Sequence, residues 1–145
     1  MAVEARREAV TSTPLHVVDS CGWLEYFADG PNADFFRPLL WDTEHLLVPA
    51  ICLFEVGRRV LKQSSPDAAQ NVYKAMTVPR VVQLEPPDMF AASQVAGRYR
   101  LALADAIIWQ TAQAHGAALY TQDVDLQGLP GVVYRPKLPS SSTSP

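Results

Sequence analysis

Short β-type runs alternate with helical patterns along nearly the whole chain, and this alternation limits the possible folds more than any other feature. Residues 15–18, 45–48, 81–84, 117–121 and 132–134 each read as a strand. Between them lie helical stretches. The first runs from Asp19 through Trp23, Leu24 and Phe27 and stops near Asp29-Gly30-Pro31; the second covers 32–41 and the third 50–62. Ser65-Pro66-Asp67 opens a fourth, with a capping hydroxyl, a proline in the first turn and an acid facing the helix dipole. Two more cover 87–100 and 104–115, the last closed by Gly116. A strand reached through a helix pairs parallel to the one before it, and such crossovers are right-handed. The expected class is therefore α/β with a parallel sheet. In the 50–62 helix the spacing predicts a core-facing stripe of Ala50, Leu53, Phe54, Gly57, Val60 and Leu61, with Glu55, Arg58, Arg59 and Lys62 on the opposite face.

The chain has 145 residues, which predicts one domain that buries roughly 70% of its unfolded surface and needs no disulfide or metal to fold. With 48% hydrophobic and 19% charged residues, disorder is excluded for the bulk of the chain. The ends differ in composition. We expect a flexible extension over 1–13, a folded domain over 14–136 and a disordered Ser/Pro-rich tail over 137–145. The longest apolar run, 46–54, is interrupted by Pro49 and is far short of the ~20 residues a membrane span needs. The first residues hold no apolar core of a secretory signal, so the expected location is the cytoplasm, with no membrane partner. Cys21 and Cys52 form no CxxC pair and read as free thiols. His16, His45 and His115 are scattered, which argues against a zinc enzyme.

Four acids stand at the ends of these elements. Asp19 ends the first strand, and Asp123 follows the fourth by one residue. Ligand sites in parallel sheets collect at the carboxyl ends of strands, so these two can share a cleft. Asp105 leads an apolar helix stripe of Ile108, Trp109 and Ala112, where a carboxylate either complements the helix dipole or, if buried, needs a partner. Glu55 reads as a solvated acid paired with Arg59, or as a metal-holding acid from which Arg58, Arg59 and Lys62 run outward along a polyanion. Asp125, two residues beyond Asp123, reads either as part of a polar loop after the strand or as a second carboxylate for the same metal. Carboxylates converging without His or Cys suit Mg²⁺ or Mn²⁺, and one or two such ions promote phosphodiester hydrolysis.

Taken together these residues resemble the PIN-domain ribonucleases, and most closely the VapC-type toxins of bacterial toxin–antitoxin pairs. Four segments in order carry the resemblance: Val17-Val18-Asp19-Ser20 before Trp23-Leu24-Glu25-Tyr26-Phe27; Glu55 within Leu53-Phe54-Glu55-Val56; Ala104-Asp105-Ala106-Ile107-Ile108; and Tyr120-Thr121-Gln122-Asp123-Val124-Asp125 before Leu129-Pro130-Gly131-Val132. The resemblance implies a three-layer PIN-like sandwich with a central, mainly parallel sheet of about five strands. It implies an acidic quartet of Asp19, Glu55, Asp105 and Asp123, with Asp125 auxiliary and Ser20 and Thr121 supporting the carboxylates. It further implies a Mg²⁺- or Mn²⁺-dependent endoribonuclease leaving 5′-phosphate and 3′-hydroxyl ends, a homodimer, and a separate VapB-like antitoxin that blocks the acidic site. Arg58, Arg59, Lys62, Arg98 and Arg100 are the expected RNA-backbone contacts. The sequence departs from the family pattern at Pro49, where relatives often carry a small hydroxyl, and in its longer polar N-terminus.

Two alternatives remain at this stage. One is a PIN nuclease of RNA maturation outside any toxin pair. The other is a receiver-like phosphoacceptor, which lacks the strand-end lysine such domains use. The aromatic residues Trp23, Tyr26, Phe27, Phe35, Phe36 and Trp41 read as core or as a surface for a partner chain. The charge of -3 argues at first against an anionic partner. Setting the four acids aside, however, leaves 12 Lys+Arg against 11 of the 15 Asp+Glu, so the negative excess is the predicted site itself.

Overall fold

The computed structural model describes residues 14–139. The expected N-terminal extension, and the tail beyond 139, lie outside the described residues. Five strands and six helices run in order as β1 (His16–Val18), α1 (Ser20–Phe27), α2 (Ala33–Trp41), β2 (Leu46–Pro49), α3 (Ala50–Gln63), α4 (Pro66–Met76), β3 (Arg80–Val82), α5 (Pro86–Tyr99), α6 (Leu103–Ala114), β4 (Ala118–Thr121) and β5 (Val132–Tyr134). A single 3-10 turn, Val124–Leu126, sits between β4 and β5. The expected cap on α4 forms: the Ser65 hydroxyl accepts the Ala68 N–H at 3.1 Å with Pro66 in the first turn.

All strand pairs are parallel, in the order β3-β2-β1-β4-β5. The sheet grows outward from β1 in one direction through β2 and β3, then crosses back to build β4 and β5 on the other side. Right-handed crossovers put the helices of the first half and those preceding β4 on opposite faces, which makes three layers. The reversal creates a crevice between β1 and β4 at their carboxyl ends, where open sheets bind ligands. Register there is tight: Val17 pairs with Leu119 and Val18 with Tyr120. Every residue of β1 and β2 is buried, as expected of central parallel strands covered on both faces.

Val17, Val18, Phe36, Leu46, Val48, Val56, Ile108, Leu119 and Leu126 form the heart of the core. Gly22 lets α1 lie close to this core. A Cβ there would come within 2.5 Å of a Val18 methyl and 2.7 Å of the Phe36 ring. One expectation is corrected. On α3 the buried residues are Cys52 and Val56, with Ile51, Leu53 and Val60 partly buried, whereas Phe54 is 66% and Leu61 54% exposed. The helix starts directly at the end of β2, so the strand sets its rotation and turns Cys52, Glu55 and Val56 inward. Glu55 accordingly does not sit on a solvated outer face; it is half-buried against α1.

Candidate active site

Asp19 leaves β1 as the N-cap of α1 and is 3% exposed. Both of its oxygens are held. Oδ1 accepts the Ser20 N–H at 2.8 Å, and Oδ2 accepts the Thr121 hydroxyl at 2.7 Å and the Cys21 thiol at 3.3 Å. The Thr121 oxygen in turn accepts the Asp123 N–H at 2.9 Å. One hydroxyl at the end of β4 thus ties the acid after β1 to the backbone of the acid after β4. Asp105, in the first turn of α6, completes the group: one carboxylate oxygen from each of Asp19, Asp105 and Asp123 lies within 4.8 Å of the others. Glu55 reaches the same cleft from α3, where its Oε1 accepts the Ser20 hydroxyl at 2.6 Å.

The electrostatics follow from this crowding. Burial pushes the Asp19 carboxyl above its ordinary value, and neighbouring Asp123 adds to the rise. Asp105 is pushed up to about 7, first by burial and then by the charges of Asp19, Asp123, Glu55 and Asp125. Among the described residues none of these acids has an ion-pair partner. A set of converging hard oxygen donors that repel one another fits a divalent ion of the Mg²⁺ or Mn²⁺ type.

The cleft has a volume of about 590 Å³ and is lined by Asp19, Ser20, Cys21, Leu24, Phe54, Glu55, Arg58, Arg59, Lys62, Asp105 and Asp123. Arg58, Arg59 and Lys62 therefore share the cleft with the acids. Asp125 is exposed and lies outside the three-carboxylate group; its backbone N–H donates to Asp123 Oδ1 at 2.9 Å. Arg98 and Arg100, at the end of α5, do not line the cleft, and the Arg98 guanidinium instead lies over the Tyr99 ring. Sequence reasoning treated Cys21 only as a free thiol. It stands in the cleft wall, and burial and Asp19 push it up to about 12, so it acts as a thiol donor. Its place two residues after Asp19, in the first turn of α1, was the available signal.

Residues 16–132 match the PIN domain family. The chain belongs to that family. No curated protein is significantly similar to it in sequence. Solved structures share the PIN fold. A toxin–antitoxin complex from Klebsiella pneumoniae aligns with a TM-score of 0.69 at 24% identity, covering 81% of this chain and 95% of that one. VapBC2 from Rickettsia felis, bound to a DNA fragment from its promoter, aligns at 0.66 and 13% identity, covering 84% and 98%. The sarcin-ricin loop cleaving VapC toxin of Mycobacterium tuberculosis aligns at 0.66 and 18% identity, covering 83% and 98%. This PIN domain therefore has the fold expected for it, with a fully parallel sheet where a mainly parallel one was expected. Among its described residues no helix is long and apolar enough to cross a membrane.

Proposed function

We propose that this PIN domain is a divalent-metal-dependent endoribonuclease that serves as the toxin of a toxin–antitoxin pair in the cytoplasm. The observation that carries the reading is the convergence of Asp19, Asp105 and Asp123, from three separate elements, beside a row of cations on α3 that form no ion pair among the described residues. Asp19, Asp105 and Asp123 hold one or two Mg²⁺ or Mn²⁺ ions, with Glu55 and the auxiliary Asp125 at the border. The chemistry that such an ion would supply when bound is a more acidic attacking water and charge relief at the leaving oxygen. Ser20 and Thr121 aim the carboxylates through the hydrogen bonds they already make. Arg58, Arg59 and Lys62 grip phosphates along the cleft, whereas Arg98 and Arg100 stand outside it.

Support for an antitoxin partner comes from the fold neighbours that are toxin–antitoxin complexes. The homodimer follows from the family resemblance, and the exposed Phe54, Leu61 and Phe90 side chains supply apolar surface for contacts between chains. The test is RNA cleavage by purified Asp19→Asn and Asp105→Asn variants with native circular dichroism. Both are expected to lose cleavage, and full activity in both refutes the nuclease. Growth arrest on induced expression, relieved by a co-expressed neighbouring small protein, tests the toxin role; processing of RNA without arrest favours maturation instead.

A further inference from the structure

Behind the acids lies a polar cluster that none of the chemistry above uses. Asn32 is 2% exposed and Gln122 7% exposed, both buried beyond what polar side chains accept without partners. Asn32 occupies the N-cap position of α2, where an Asn side chain ordinarily bonds the first turn, yet here it makes no cap. Its Nδ2 instead donates to Gln122 Oε1 at 3.0 Å and to the Pro136 carbonyl at 3.0 Å. Gln122 Nε2 donates to Glu25 Oε1 at 3.3 Å, and Glu25 Oε2 accepts the Asn32 N–H at 2.7 Å. Gly30 makes room for this carboxylate, since a Cβ there would meet it at 2.6 Å.

The cluster joins α1, the turn before α2, the end of β4 and the segment after β5. Gln122 stands between Thr121, which binds Asp19, and Asp123. Giving up a helix cap worth about 1 kcal/mol to hold this one side chain indicates that its placement matters. We infer that Gln122, clamped by Asn32 and Glu25, is a positioning residue that fixes the span between Asp19 and Asp123 and so sets the affinity of the site for a divalent ion. The inference rests on the metal reading above.

The test is calorimetric titration of Mn²⁺ into the full chain, alongside Tm, for the wild type, Asn32→Ala, Gln122→Met and the double variant. Each single change is expected to weaken Mn²⁺ binding about 10–100-fold, the range for groups that orient metal ligands. The double variant is expected to lose less than the two single losses combined, because both remove the Asn32–Gln122 contact. Ser65→Ala, which removes the α4 cap, serves as the control: it lowers Tm without moving Mn²⁺ affinity. If the wild type takes up no Mn²⁺, the metal reading falls and this inference with it. If the wild type binds and both folded variants bind within about twofold of it, the inference alone is overturned.

Discussion

Helices α1 and α5 are seated very differently. The eight residues of α1 bury Ser20, Gly22 and Trp23, and its first turn holds Asp19 from both sides. The fourteen residues of α5 bury only Ala92 and end in a left-handed Arg100. The sequence of α1 is the more apolar of the two. The sheet widens that difference. The helix that leaves the central strand at the crevice has its geometry fixed by core contacts, and the helix packed on one outer layer does not.

The contrast can be broken most directly with two glycines. Gly22→Ala forces a Cβ against Val18 and Phe36, which are themselves fully buried and cannot give way. It is expected to cost about 1–3 kcal/mol in denaturant unfolding, and to weaken cleavage by displacing the first turn of α1. A second effect comes from pH. Asp105 ionises near 7 in the folded protein against 3.8 when free, and Asp19 shifts in the same direction. Between those values the native state binds more protons than the unfolded chain. Stability without divalent ions is therefore present at the acid end of this window and falls as pH rises through it. Melting curves in chelator are expected to show that fall, and Asp105→Asn to flatten it. Divalent ions compete with the same proton, so their stabilising effect is expected to grow as pH passes about 7.

Gly97→Ala is the counterpart on α5. A Cβ at Gly97 meets nothing within 4 Å, so the helix gains about 0.5–1 kcal/mol from the lost glycine entropy and Tm rises slightly. A fall would show that α5 is more tightly bound than its exposure indicates. The smallest expected difference concerns charge. Arg59→Ala, in the cleft, weakens RNA binding and lowers its salt dependence, while Arg98→Ala leaves both nearly unchanged. Equal losses in a filter-binding salt series would extend the RNA path to α5.

Much of this fold was legible because strand-ending acids and helix periodicity are local signals. Asp19 after Val17-Val18 and the run through Thr121 to Asp123 can be placed at strand ends without any tertiary knowledge. The rotation of α3 could not. Its sequence carries two apolar stripes, Cys52 with Val56 and Phe54 with Leu61, and only the join to β2 decides which faces inward. The Asn32–Gln122 contact was equally hidden. It spans 90 residues, and an Asn before a helix reads as a cap until the structure shows otherwise.

The hydroxyl bridge from Thr121 to Asp19 joins residues 102 positions apart. Asp19, Glu55 and Asp105 are all synthesised before β4 exists to dock beside β1. A chain made only as far as α6 therefore carries three of the four acids but not the strand that gathers them. On the nuclease reading, the order of synthesis itself is a safeguard: a growing chain has no assembled site with which to cut the RNA that is producing it.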